Sequence, residues 1–268
     1  MDHCINSECR RPQDHTSFFC SDEHDAHRFL AKQRGMITFL PYIIVNVHLI
    51  LGDVSFVLCQ PSSERFQEME RIFEKNWDKN KCLIPTVCNV IAIVNPALED
   101  RLETYKSSLR KGHHKTEFHF HGTKLKCPLH KYYMPCQQKD CSVCGISRNG
   151  FLLGHVSIDY QHFACAFYLA PTSSKCHDYC ATQISDDRKV QQNPYYAMLY
   201  CEVATGKKYH LKYKETFREG PPDGYHTLYG KSIQMPFLQG DSRNDELVVF
   251  DEEAICPKYI VCYTVSQP

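Results

Sequence analysis

A short apolar run, Asn89-Val-Ile-Ala-Ile-Val94, feeds directly into Asn95-Pro96, and this junction constrains the fold more than any other stretch of the chain. The run is short, and it is rich in β-branched residues, so it reads as a buried strand. Asn95 carries the side-chain acceptor of a helix N-cap, and Pro96 has the fixed φ that suits a first helical position. Glu99 and Asp100 lie early in the following segment and Arg110 and Lys111 late, as the helix dipole prefers. Leu98, Leu102, Tyr105 and Leu109 recur on one face, and Gly112 can end the helix. A second amphipathic helix is expected over 62–77, capped by Ser62 or Ser63, with Phe66, Met69, Phe73 and Trp77 on its core face. Beyond residue 115 the pattern changes to short strands, at 197–203, at 209–213 after a Gly206 turn, at 246–250 and at 258–265. Pro221-Pro-Asp-Gly224 is a turn between them. Helix early and strand late give an α+β class.

The 268 residues allow one large domain, or a medium one with a small companion. Basic and acidic residues balance at 31 each, so no global positive field draws nucleic acid to the chain. The local basic runs at 111–115 and 207–214 read as solvated loop charge. Sixteen cysteines cluster with histidines at metal-ligand spacings, and Met1-Asp-His-Cys is no signal peptide. A reducing intracellular compartment, nuclear or cytoplasmic, with structural zinc is the expectation.

Residues 1–34 have no periodic apolar pattern. Cys4, Cys9, Cys20 and His24 offer four ligands, with His27 a rival to His24 because Cys20, His24 and His27 share a helical face. A segment this short needs a metal to fold, so 1–34 is read as a zinc module. Residues 35–60 form an apolar connection. Pro41, Asn46, His48 and Asp53 interrupt it, which disfavours a membrane span and favours two strands turned at Gly52-Asp53. The rest, 61–268, is one domain. Inside it, Cys127, Cys136, Cys141 and Cys144 make a second zinc set, with His130 competing with Cys127 or Cys136. Lys124, Lys126, Lys131, Lys139 and Asp140 mark that segment as an exposed polar loop.

Four segments form an ordered constellation: His121-Gly-Thr123, Phe163-Ala-Cys-Ala-Phe-Tyr168, Ser173-Ser-Lys-Cys-His-Asp-Tyr179 and Glu246-Leu-Val-Val-Phe250. The order and spacing resemble the His-Tyr-Glu triad of poly(ADP-ribose) polymerase (PARP-type) catalytic domains, over roughly residues 65–265. The Asn95-Pro96 strand–helix unit also resembles that family. The resemblance implies an ADP-ribosyltransferase fold, with split antiparallel β-sheets and flanking helices. It implies NAD⁺ as co-substrate, cleavage of the nicotinamide–ribose bond and transfer of ADP-ribose to a protein acceptor. The implied catalytic residues are His121, Tyr168 and Glu246. Gly122 would offer backbone to the nicotinamide carboxamide, His121 would bond the ribose, and Tyr168 and Tyr179 would sandwich the pyridinium. Glu246 would stabilise the developing ribosyl cation.

The chain departs from the family pattern in three places. Ala164 and Ala166 stand where the family has glycine, Cys176 where it has the carboxamide-bonding serine, and Leu247 where it has an aromatic. These keep two rival readings open: a PARP-like module that binds NAD⁺ or ADP-ribose with little or no turnover, and a zinc-based interaction protein.

Overall fold

The computed structural model describes residues 54–78, 82–129, 133, 135–156, 164–182, 195–211, 220–230 and 245–268. The N-terminal zinc set of Cys4, Cys9, Cys20 and His24, together with His27, His130 and the Gly52-Asp53 turn, lies outside these residues.

The strand–helix junction forms as its residues dictate. Strand β2, Ile84–Val94, leads into helix α2, Pro96–Ser108, and the Asn95 side chain accepts from the Leu98 N–H. The helix stops earlier than the charge pattern implied. Leu109 is already extended at ψ 151°, and Gly112 turns the chain afterwards at φ +93°. Leu109 gains burial by leaving the helix, so packing overrides the favourable placement of Arg110 and Lys111 at a helix end. Helix α1, Glu64–Lys75, is capped by the Ser63 hydroxyl accepting from Phe66. Phe66, Met69, Phe73 and Trp77 are all buried, and the Phe73 ring packs on Tyr263 and Phe120. Truncating a ring buried like Phe73 costs about 3–5 kcal/mol.

The remaining strands are β1 (Ser55–Cys59), β3 (Thr116–Gly122), β4 (Phe167–Leu169), β5 (Tyr196–Ala204), β6 (Lys208–Leu211), β7 (Thr227–Gly230), β8 (Glu246–Val249) and β9 (Ile255–Ser266). Helices α3 (Ser142–Asn149) and α4 (Ser173–Thr182) complete the set used below. A five-stranded sheet runs β1-β2-β9-β5-β3, antiparallel throughout. A four-stranded sheet runs β4-β8-β7-β6. The pairing is antiparallel as expected, except that β6 and β7 run parallel. The Gly206 turn likewise joins no hairpin: β5 belongs to one sheet and β6 to the other.

The two sheets meet edge to edge. Phe120 of β3 and Ala170, just past β4, exchange both backbone bonds at 2.8 and 2.9 Å. Because β3 continues two residues beyond Phe120, the bridge sets His121 and Gly122 beside the end of β4. On one face of the larger sheet, α1 and α4 pack over Val90, Met198, Val261 and Tyr263. On the other face the smaller sheet and α3 close a core around Ile91, Leu199, Ile260, Leu169 and Leu247. Lys258 of β9 bonds Glu99 of α2 at 2.9 Å and holds that helix to the sheet. Among the described residues, no helix is long and apolar enough to cross a membrane.

Candidate active site

The residues singled out in the sequence come from four different elements and line one cavity of about 760 Å³: His121 and Gly122 from β3, Tyr168 from β4, Cys176 and Tyr179 from α4, and Glu246 from β8. That volume suits a cofactor-sized ligand, for which sites run roughly 300–1,000 Å³.

The His121 Nδ1 lies 2.9 Å from the Tyr168 carbonyl. A carbonyl only accepts, so Nδ1 is assigned the proton and Nε2 remains an acceptor. Burial lowers the His121 pKa below 6.5, partly offset by that bond, and keeps the ring neutral. The ring also meets Phe151 edge-on at 4.9 Å. Neutral, oriented and with one acceptor nitrogen left, His121 is suited to a hydroxyl donor of the ligand.

Tyr168 is fixed at its far end. Its hydroxyl accepts from the Ala164 N–H and donates to the Ala164 carbonyl, both at 2.9 Å. The methyls that replace glycine are buried in a small core with Leu211, Leu228 and Val248, and Ala166 also borders the cavity. Tyr179 has its phenol pKa raised, first by burial and then by the Glu246 carboxylate, so it stays protonated.

Gly122 is required by a close approach. A Cβ there would lie 2.0 Å from the Cys176 carbonyl oxygen and 2.8 Å from its carbonyl carbon. The bare strand backbone therefore touches the start of α4, which brings the cavity face of the helix to the His-Gly pair. The Cys176 thiol is buried and its pKa is raised by that burial, so it is a weak neutral donor rather than a nucleophile.

Lys175 was not among the site residues expected from the sequence. Its Nζ lies 2.5 Å from Glu246 Oε1, and both side chains are buried, 10% and 7% exposed. The signal was present, because Lys175 and Tyr179 are four apart on α4 and share a face. Glu246 is thus an ion-paired carboxylate at the start of a central strand, inside the cavity.

Two residues before His121, on the same face of β3, His119 is buried with its Nδ1 unpartnered. Burial drops its pKa from 6.5 to about 4, with Glu117 pulling the other way. The unfolded chain therefore takes up a proton below pH 6.5 that the folded chain refuses. The stability His119 contributes is complete above pH 6.5 and is lost as pH falls toward 4, by up to about 3 kcal/mol. Denaturant unfolding between pH 7 and 4.5 should show a shallower fall in ΔG for His119→Phe than for wild type; parallel curves would remove His119 from the account.

The sulfurs of Cys127, Cys136, Cys141 and Cys144 all lie within 4.8 Å of one another. Cys127 and Cys144 are 3.5 Å apart, and Cys127 and Cys141 are 3.9 Å apart. Tetrahedral Zn–S bonds near 2.3 Å place sulfurs about 3.8 Å apart, so the set fits a zinc ion. The Cys141 thiol is held well below the usual range by hydrogen bonds from its Cys127 and Cys144 neighbours, and the Lys126 N–H adds to this at 3.3 Å. None of the described cysteines forms a disulfide. The expected exposed loop is corrected in part: Cys127, Cys141 and Cys144 sit in the main core, and the polar residues cover them. The cluster adjoins the cavity, since Cys141 belongs to both.

The family model for the poly(ADP-ribose) polymerase catalytic domain matches residues 63–265. Among curated proteins, none matches the chain.

Proposed function

Because the chain belongs to the poly(ADP-ribose) polymerase catalytic-domain family, with its ADP-ribosyltransferase fold, we propose that it cleaves the nicotinamide–ribose bond of NAD⁺ and transfers ADP-ribose to a protein acceptor. The observation that carries this reading is the convergence of His121, Gly122, Tyr168, Tyr179 and Glu246 on one cavity.

The roles proposed for these residues come from the family resemblance, and their convergence on one cavity supports them. In this reading Tyr168, locked through its hydroxyl, and Tyr179, which lines the same cavity, take the flat pyridinium between them, and cation–π attraction adds about 0.5–2 kcal/mol. Gly122 offers backbone to the carboxamide. His121 Nε2 accepts from a ribose hydroxyl. As the C1′–N bond lengthens, nicotinamide leaves with the electron pair and the ribose becomes an oxocarbenium-like cation. Glu246, which lines the same cavity, is assigned the stabilisation of that cation. The acceptor nucleophile then bonds C1′, and any proton it carried passes to solvent. Lys175 positions the carboxylate.

Nicotinamide release by the purified full chain tests the reading, with thermal stabilisation by NAD⁺ as the binding control. A second reading, binding without turnover, is favoured by the Lys175–Glu246 pair, since an ion-paired carboxylate has less charge to offer the ribose. NAD⁺-dependent stabilisation with no nicotinamide released would select it.

We also assign structural zinc to Cys127, Cys136, Cys141 and Cys144, and, from sequence alone, a second zinc to Cys4, Cys9, Cys20 and His24. The cysteines and histidines at metal-ligand spacings in the sequence are what support a reducing intracellular compartment, nuclear or cytoplasmic. In the full chain, Cys144→Ser should carry about one zinc equivalent fewer than wild type and melt several degrees lower. Equal zinc content in the two proteins would refute the core site.

A further inference from the structure

The wall of the cavity that the triad does not explain is built by the cysteine cluster. Lys139 lies between Cys136 and Cys141, Arg148 is on α3 just after Cys144, and Lys124 follows the β3 exit; all three line the cavity. Lys175 lines it too but is committed to Glu246, which is the one carboxylate among the described lining residues. The net charge of the remaining wall is therefore positive. Asp140, more than half exposed, reaches to 3.9 Å from both Lys124 and Lys126 and offsets part of it. Helix α3 also begins at the cavity. Its first residue Ser142 lines the space.

The cluster fixes this wall from several directions. The Lys126 N–H bonds the Cys141 sulfur, the Val143 N–H bonds the Lys124 carbonyl at 3.1 Å, and the Arg148 guanidinium donates to the Cys136 carbonyl. Two cations of the wall thus hang on backbone that the cysteines hold.

NAD⁺ is cationic at one end only and carries a diphosphate in the middle. Resting on the NAD⁺ reading above, we propose that residues 135–149 with Lys124 form the ADP-binding half of the cavity. In it Lys124, Lys139 and Arg148 receive the diphosphate, and metal on the cysteine cluster and NAD⁺ in the cavity favour one another's binding. Charged donors lining a concave, partly desolvated site focus their field on an anion far better than scattered surface lysines do. Reciprocity follows from linkage: whatever the metal adds to dinucleotide affinity, the dinucleotide adds to metal affinity.

The test titrates the full chain with NAD⁺, ADP-ribose and nicotinamide, in wild type, Lys139→Ala, Arg148→Gln and zinc-stripped protein. Lys139 is exposed, so its truncation leaves the fold intact. Loss of a charge-assisted contact should weaken ADP-ribose and NAD⁺ about tenfold and leave nicotinamide binding unchanged. Wild-type ADP-ribose affinity should fall steeply with salt, and less so in the variants. Stripping zinc should weaken ADP-ribose more than nicotinamide. If wild type binds nicotinamide but neither variant alters ADP-ribose affinity, the diphosphate assignment falls and the NAD⁺ reading stands. If all three probes weaken equally in Lys139→Ala, the wall acts only through the fold and the proposal is overturned. If wild type binds none of the three, the NAD⁺ reading itself has failed.

Discussion

Glu246→Gln should lose ADP-ribose transfer by roughly 10²–10³-fold while NAD⁺ affinity changes far less, because the lost charge acts on a cation that exists only in the transition state. The same substitution has a second consequence. Lys175 and Glu246 form a buried pair at 2.5 Å, and removing one partner leaves the other charge unpaired at a cost of about 3–5 kcal/mol. Reduced transfer alone would therefore be ambiguous between chemistry and folding. The double variant Lys175→Met/Glu246→Gln separates them, since removing both charges should recover most of the stability and none of the transfer. Single-turnover transfer, NAD⁺ affinity and melting temperature on the three proteins decide it. Transfer that returns along with stability in the double variant would reduce Glu246 to a structural role.

Gly122→Ala should be the most damaging added methyl among the described glycines. The added Cβ falls 2.0 Å from a backbone oxygen of α4, and no rotamer can relieve a clash between two main chains. Either α4 moves, carrying Lys175, Cys176 and Tyr179 away from the cavity, or β3 moves and breaks the Phe120–Ala170 bridge. Overpacking of this kind costs about 1–3 kcal/mol and occasionally more, and dinucleotide binding should fall at least a hundredfold as the site loses its geometry. The control for stability alone is Gly145→Ala. That glycine lies inside α3, and a methyl added there would meet nothing within 4 Å, so alanine should raise stability by up to about 1 kcal/mol. Comparable melting temperatures for Gly122→Ala and wild type would show that the close approach is not a constraint.

Local chemistry made much of this legible from sequence. Asn95 and Ser63 cap the helices they precede because a cap is decided by a few neighbouring residues. The core face of α1 followed from helical spacing, since Phe66, Met69 and Phe73 had nowhere else to point. The four cysteines at 127–144 declared a cluster through spacing, because metal ligands must lie close in the chain or be brought close by it. Motif order placed His121, Tyr168, Tyr179 and Glu246 in one site by resemblance, and the cavity does contain all four.

What tertiary structure alone decided concerns partners distant in sequence. The Lys175–Glu246 pair joins residues 71 apart, and no local pattern says which buried carboxylate a helix lysine will meet. The parallel pairing of β6 and β7 depends on which sheet each strand joins, and alternation within a strand does not carry that choice. Leu109 leaves α2 for the core although charge placement argued for a longer helix, because burial outweighs a dipole contribution of tenths of a kcal/mol. The cysteine cluster read as a surface loop, since its lysines are visible in the sequence while the core that its sulfurs enter is assembled from both sheets. Sequence determined the elements and the chemical groups. The fold decided that the cysteine cluster would adjoin the cavity lined by His121, Tyr168 and Glu246, because that requires five separate elements to converge on a volume none of them encloses alone.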